Sequence, residues 1–386
     1  MTNLEITPLG MPKTVNPAAI ERELSLLWKS VSENGTLNPV QRACALNLLV
    51  YLRGSESLGK ISEVIGKLTV QHPNRAVVLV AEPDRQPAEF TSWVSAQCHL
   101  SRAGGKQVCC EQIVMNASAE QVKHLSGAAV PLLLADLPVY LWWTDPSGIE
   151  DEIFKKLALA ADRVIIDSAQ FLQPKDHFRV FLQLLERNGT GPSLGDLNWS
   201  RLRPWRELIA QFFDSAPCLT KLSQIDRMTI DCQSRNRKIS TLPAQPLLLA
   251  GWFTGRLGWK PLPSHHRVSG LTHYLLLEKN ASEFEVQIRM IEAETGCPGD
   301  IVALKLFSSG KPQEEFCRQL EAVLRPGERA QVLEATVLEG AASPVLRQVT
   351  LRPGDNERLL DDLLRVQSHD HVFEEAWKIA AELTSW

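Results

Sequence analysis

The 386-residue chain is poor in the features that usually announce a function. It has no apolar run of the roughly 18–20 residues that a membrane span needs. Leu247–Trp259 comes nearest, and three glycines and Arg256 interrupt it. A net charge of −4 provides no overall attraction for nucleic acid or an anionic membrane. The first residues, MTNLEITPLGMPKTV, lack a basic start followed by an apolar core, which points to a cytosolic protein. The eight cysteines form no CxxC and no Cys/His cluster with zinc spacing. There is no Walker A sequence, no G-x-S-x-G elbow, no HExxH and no EF-hand loop, and His265-His266 has no carboxylate at ligand spacing. A dinucleotide-binding turn needs G-x-G-x-x-G directly after its strand. The apolar run Ala76–Ala81 is followed by Glu82-Pro83-Asp84-Arg85, without glycine, and Gly104-Gly105 precedes a strand rather than a helix. These absences speak against the common nucleotide, hydrolase and metal chemistries.

What is present suits a folded chain of two or three domains. Hydrophobic residues make up 44% and charged residues 22%, enough for a sizeable core under a solvated surface. The pattern centres on Pro131–Ser168. Val139–Trp143 and Arg163–Asp167 read as buried strands flanking an amphipathic helix with Ile149, Ile153, Phe154 and Leu157 on one face, a βαβ unit. Ser147 and Glu150 have the spacing of a capping box for that helix. Thr144 and Asp145 follow the first strand, Asp167 and Ser168 the second, and ligands bind at the carboxyl ends of strands in open parallel sheets. Asp136, Asp145 and Asp167 could gather there for acid–base or metal work. The competing reading is capping, turn formation and pairing with arginines such as Arg163.

Along the chain, residues 1–69 read as three short helices. Asn16-Pro17 opens the first, which Asn34-Gly35 closes. Asn38-Pro39 opens a second that Gly54 ends, and a third carries Leu58, Ile61, Ile65 and Leu68. Residues 70–214 read as an α/β domain, with strands at Ala76–Ala81, Ser92–Leu100 and Lys106–Met115, the last two joined at Gly104-Gly105. Residues 215–386 read as an α+β domain. It has a strand at Ile225–Cys232, a polar turn with Arg235, Arg237 and Lys238, and a helix at Leu247–Trp259. A mostly antiparallel sheet follows, with strands at His273–Glu278, Glu283–Ile291, Ile301–Leu306 and Ala330–Thr336, and two helices end the chain. The predicted fold class is thus α/β: N-terminal helices with a mainly parallel sheet, then an α+β domain with a mostly antiparallel sheet and C-terminal helices.

Two clusters stand out chemically. Pro204 starts a helix whose Trp205, Leu208, Ile209 and Phe212 share a face, while Arg201, Arg203 and Arg206 crowd its N-terminus. Cations there oppose the helix dipole. They either bind an anion or a partner's acidic groups, or pair within the fold. Trp199 and Trp205 lie among them, and Trp and Arg are enriched in interface hot spots, although Trp is also a core residue. Cys109 and Cys110 are adjacent in a predicted strand. Alternation points them to opposite faces, which makes a disulfide between them awkward and leaves buried free thiols or a redox role as the two readings.

The segments HPNRAVVLV (72–80), QVCCEQI (107–113), PLLLADLPVYLWW (131–143), DRVIIDSAQF (162–171) and DLNWSRLRPWRELIAQFFD (196–214) resemble the glucose-6-phosphate dehydrogenase assembly protein family, OpcA, in its cyanobacterial form. The resemblance covers most of the chain and is specific in the first ~215 residues. It implies a non-enzymatic partner of glucose-6-phosphate dehydrogenase that favours the active oligomer of that enzyme, with no cofactor, and a link to thioredoxin-type redox control. It carries over no catalytic residue. No cysteine follows Cys317, so the resemblance leaves no redox switch in the last 69 residues. The expected partner contact is Trp199, Arg201, Arg203, Trp205 and Arg206, and any redox role is expected to fall to Cys109 or Cys110, exchanging disulfides singly. The alternative is a sugar-phosphate sensor or enzyme using Asp145, Asp167 and the three arginines.

Overall fold

The computed structural model describes residues 7–15, 17–33, 40–100, 107–185, 191–214, 219, 222–234, 241–262, 266–279, 282–292, 297–307, 317–325, 331–339, 345–351, 356–366 and 368–385. The expected breaks at Asn16, Asn34-Gly35, Asn38-Pro39 and Gly104-Gly105, the turn at Arg235–Lys238, and His265 lie outside them.

The chain forms two compact units, each discontinuous in sequence. One comprises residues 1–166, 187–195 and 356–368; the other comprises 167–186, 196–355 and 369–386. The linear division expected at residues 69 and 214 follows the change of hydrophobic period. The compact units instead exchange segments near residues 166, 195 and 355, because compactness depends on which elements pack together.

The first unit is built on a nine-stranded sheet. Its strands are β1 (Thr7–Val15), β2 (Val40–Arg42), β3 (Leu46–Arg53), β4 (Asn74–Glu82), β5 (Phe90–Leu100), β6 (Gln107–Ser118), β7 (Val139–Trp143), β8 (Arg163–Ile166) and β9 (Ser193–Asp196). The spatial order is β1-β5-β6-β4-β3-β7-β8-β9, with β2 beside β6. The run β6, β4, β3, β7, β8 is parallel, and β1 and β5 add an antiparallel edge. Helices α1 (Ile20–Glu33), α2 (Leu58–Leu68), α3 (Leu125–Ala129) and α4 (Glu152–Leu159) intervene.

The βαβ unit at β7–α4–β8 forms as its pattern predicts, with Tyr140, Leu141 and Trp142 paired in parallel to Arg163, Val164 and Ile165. Its helix starts later than the Ser147/Glu150 spacing suggested. Asp145 accepts the Ser147 N–H and caps a single turn at Pro146–Gly148, and α4 begins only at Glu152. A side-chain oxygen two residues upstream satisfied that N–H first, which left no capping box to form. Trp142 and Trp143 are both buried, so neither presents a surface.

Leu46–Arg53 is a central strand and not the second of three N-terminal helices. Residues 46–52, LNLLVYL, are all buried. A short run that is apolar on every side has no period to separate a strand covered on both faces from a buried helix. The N-terminal segment therefore contributes strands to the main sheet, and no separate helical subassembly exists among the described residues.

The second unit carries a sheet of β10 (Arg227–Gln233), β11 (Lys260–Pro261), β12 (Arg267–Ser269), β13 (Thr272–Lys279), β14 (Ser282–Ile291), β15 (Ile301–Phe307), β16 (Cys317–Arg325), β17 (Gln331–Glu339) and β18 (Val345–Leu351). Its order is β11-β13-β14-β10-β15-β16-β17-β18, antiparallel except for β10 beside β14. The alternating stretches of sequence predicted β13, β14, β15 and β17, and β13 and β14 bury every second residue. This unit also holds α5 (Pro174–Leu185), α6 (Leu197–Arg201), α7 (Arg203–Phe213), α8 (Ala244–Arg256) and α10 (His371–Leu383), while α9 (Asn356–Leu364) belongs to the first. Trp377 of α10 is fully buried. Its ring meets Phe178 at 4.5 Å and Phe373 at 5.5 Å, and its Nε1–H donates to the Phe178 carbonyl at 3.1 Å. Gly251 of α8 lies so close to α10 that a Cβ there would meet the Ala376 carbonyl.

Candidate functional site

With the antiparallel edge strand β5 left out of the count, the strand order β6-β4-β3-β7-β8-β9 is, in order of occurrence, 3-2-1-4-5-6. This is the doubly wound arrangement whose crevice opens between the first and fourth strands, here β3 and β7. Their carboxyl ends are closely laced. Thr144 donates its backbone N–H at 3.3 Å and its hydroxyl at 2.8 Å to the Tyr51 carbonyl, and the Tyr51 and Trp143 rings stack at 3.8 Å. Asp145 is 6% exposed, and its Oδ1 accepts from the Ser147 N–H and hydroxyl. Arg53 lies 3.7 Å from Asp145 and 3.8 Å from Asp84. Asp136 precedes β7 in a left-handed turn, φ 64°, and so lies at the opposite end of that strand from Asp145.

In the second unit, the segments that follow β8 and β9 build a buried polar cluster. Asp167 accepts both arms of Arg201, at 2.6 and 2.9 Å, and also the Ala169 N–H at 3.2 Å. Burial works against the Arg201 charge, but the hydrogen bonds and charge of Asp167 prevail and raise its pKa. Asp196 is fully buried and caps α6. It accepts the Asn198 N–H at 3.0 Å, the Ser168 N–H at 2.9 Å and the Ser168 hydroxyl at 2.6 Å. Asn198 donates to Ser168 and accepts from Gln245, whose Oε1 takes the Ile301 N–H. A small cavity of about 80 Å³ adjoins this cluster, lined in part by Phe171, Leu172, Asn198, Gln245 and Met290.

Burial, helped by the nearby charge of Asp167, pushes the Asp196 carboxyl up to about 7, against the hydrogen bonds it accepts. Its ordinary value is about 3.9, so ionisation works against the fold. The stability it contributes is full below about pH 4, falls as pH rises to about 7, and is flat beyond. Asp196→Asn removes that titration. Unfolding free energies measured from pH 4 to 8 should decline less steeply in the variant; parallel profiles would contradict the assignment.

The five residues expected to meet a partner divide sharply. Trp199 and Trp205 are 4% and 3% exposed. Arg206 stacks on Trp199, with its guanidinium carbon 3.5 Å from the ring centroid, and donates to the Trp199 carbonyl at 3.2 Å. Burial pulls its pKa down to about 10. Trp199 itself donates to Asp370 at 3.2 Å. Arg201 is committed to Asp167. Arg203 alone extends outward, 59% exposed, paired with Glu207 one turn along α7. Cations at the start of a helix are tolerated here because two of the three find internal partners. Arg163, offered by the competing sequence reading as a partner for the strand-end aspartates, donates to the carbonyls of Val366, Ser368 and Leu194. All three strand-end aspartates, 145, 167 and 196, cap short helical turns.

Cys109 is disulfide-bonded, which departs from the expectation of free thiols, while Cys110 is free and buried. In the β5–β6 ladder Cys98 stands opposite Cys109. Burial pushes the Cys110 thiol up to about 12, so it is no nucleophile near neutral pH. Among the described residues no three or more metal-ligating side chains converge, and no helix is long and apolar enough to cross a membrane.

A doubly wound parallel sheet and an antiparallel-sheet unit define a two-unit α/β protein. The chain belongs to the OpcA family of glucose-6-phosphate dehydrogenase assembly proteins. Residues 66–183 match the model described as the glucose-6-phosphate dehydrogenase subunit N-terminal domain, and residues 192–377 match the corresponding C-terminal domain. The provisionally named OxPP cycle protein OpcA of Nostoc punctiforme is 30% identical over 300 residues, 75% of this chain and 61% of that protein. Its counterpart in Synechococcus elongatus is 30% identical over 321 residues, 81% of this chain and 65% of that protein. The chain therefore spans less than two thirds of the length of these relatives. Among solved structures, glucose-6-phosphate 1-dehydrogenase from Mycobacterium avium aligns with a TM-score of 0.46 at 13% identity, covering 87% of this chain and 91% of that one. Myo-inositol dehydrogenase from Lactobacillus casei aligns with a TM-score of 0.43 at 11% identity, covering 88% and 93%.

Proposed function

We propose that this protein is a non-catalytic assembly factor that binds glucose-6-phosphate dehydrogenase, favours its active oligomer and so regulates the oxidative pentose phosphate pathway. The observation that carries the reading is the pair of family matches, both described as subunit domains of that dehydrogenase and together spanning most of residues 66–377. The chemistry of the strand ends is consistent with it. Asp145, Asp167, Asp196 and Arg201 are engaged in caps and ion pairs. Binding energy alone suffices for activation, since a preference of about 1.4 kcal/mol for the active state shifts its population tenfold. Mixing the protein with its cognate dehydrogenase, and measuring oligomer size and substrate KM together, tests this; no change in either defeats it. Repeating the mixture before and after thioredoxin treatment tests a redox contribution from the Cys109 bridge.

The arginine helix supports a narrower contact than its composition suggested, with Arg203 as the exposed charge for an acidic patch on the enzyme. Arg203→Glu should leave stability within about 0.5 kcal/mol and weaken activation. Arg206→Glu should instead destabilise the fold by about 2 kcal/mol, because it replaces a cation stacked on Trp199 by an anion near Asp370 and Glu207. Urea unfolding separates the two; equal losses would show that the exposure difference does not govern their roles. The sugar-phosphate alternative is weakened by the commitment of Arg201 to Asp167.

A further inference from the structure

The doubly wound topology implies a dinucleotide at its switch point, with the phosphates over the turn that follows the first strand. The first strand is β3, so that turn is Gly54-Ser55-Glu56-Ser57-Leu58-Gly59 leading into α2. In register with G-x-G-x-x-G, the first and third glycines are Gly54 and Gly59, and the second is replaced by Glu56. Gly54 keeps the role of its position: its φ is 85°, and its N–H bonds the Ala81 carbonyl at 2.9 Å, holding the turn against β4. The other two roles are gone. Gly59 has open space around it and packs closely on nothing. Glu56 stands where the missing side chain would let the pyrophosphate approach the backbone.

The Glu56 carboxylate folds back over Gly54, at the point where a Cβ on Gly54 would collide with it. It lies just before the N-terminus of α2, an 11-residue helix whose N-cap Ser57 makes no side-chain capping bond and whose first turn has no acidic residue. That terminus favours an anion. The usual ribose position, an acid at the end of the second strand, is Glu82. It is already engaged with the Ser55 hydroxyl at 2.8 Å and Arg85 at 2.6 Å. Asp84 and Asp145 near Arg53 add negative charge around the same crevice.

We infer that this chain carries a dinucleotide crevice closed by its own carboxylate, with Glu56 excluding a phosphate by bulk and by charge from the cradle that Gly54 still shapes. The fold is that of a cofactor-binding protein, and these residues do not fit the cofactor. The inference stands on unit-one geometry alone and is independent of whether the protein binds the dehydrogenase.

Calorimetric titration with NADP+, NAD+ and inorganic pyrophosphate tests it on the whole chain. The native protein should show no saturable binding up to millimolar concentration. Glu56→Gly completes the fingerprint and should bind at least one dinucleotide tenfold or more tightly than the native protein. Glu56→Gln keeps the bulk and removes the charge, and should bind pyrophosphate more tightly than the native protein while gaining less for dinucleotide. Circular dichroism identifies the folded variants, and if Glu56→Gly does not fold, the Glu56→Gln titration decides. Submillimolar dinucleotide binding by the native protein, or no gain in any folded variant, overturns the inference.

Discussion

Arg201→Ala is expected to be among the most destabilising single substitutions in the second unit, lowering its stability by about 3 kcal/mol. Asp167 is 10% exposed and accepts two short hydrogen bonds from the Arg201 fork. Removing the arginine leaves an ionised carboxylate in a site that water reaches poorly, beside the second acid Asp196. The Ala169 N–H remains as a partner, and Arg201 is itself 24% exposed, so the loss should fall at the lower end of the range for broken buried pairs. Arg201→Lys keeps the charge without the bidentate fork and should lose about half as much. Urea unfolding followed by tryptophan fluorescence reads both variants, since Trp199 and Trp205 lie in the adjoining helices. A loss under 1 kcal/mol for the alanine variant would mean that Asp167 is solvated well enough to stand alone.

Gly251→Ala should destabilise the same unit by about 2–3 kcal/mol, although alanine is the better helix former by about 1 kcal/mol. The added methyl meets the Ala376 carbonyl, a backbone atom that can yield only if α10 shifts as a body. That helix is held by Trp377 and Phe373, both buried to within 1%. One turn along α8, Gly255→Ala makes a control. Its methyl would meet the Glu375 side chain, which is 40% exposed and held only by a surface ion pair with Arg256, so it can yield toward solvent. The second substitution should be neutral to within about 0.5 kcal/mol, or stabilising. Thermal unfolding of the two variants side by side is sufficient, and equal Tm values would show that the approach of the two helices does not limit packing.

Much of the local structure could be read from periodicity. The helices α2, α5 and α7 and the strands β13 and β14 carry clear signals in side-chain spacing, whereas β4, β7, β8 and α8 are marked by apolar runs with turn residues or charges at their ends. The family resemblance rested on the same stretches. The exception is LNLLVYLR at residues 46–53, whose unbroken apolar run fits a helix and a buried strand alike. Without it, Ala76–Ala81 stands as the first strand of the sheet, whereas it is the second, and the turn that matters is the one before it. Gly54 and Gly59 were visible five residues apart, but only their position after the first strand of the sheet gives the spacing meaning.

The chain's own pattern of apolar spacing, turn residues and capping side chains was enough to determine that it is α/β, that β7–α4–β8 is its central repeat of the winding, and that an antiparallel sheet follows. Those properties are set by contacts within a few residues, and local sequence records them. Which strand comes first, and where each charge goes, was decided by tertiary structure. Asp167 and Arg201 are 34 residues apart in the chain, and Arg163 reaches a carbonyl 203 residues away. A charged side chain has no periodicity to show whether it faces solvent, a partner or a buried counter-ion. Only the packed chain brings Arg201 onto Asp167, lays Arg206 across Trp199, and leaves Arg203 outside.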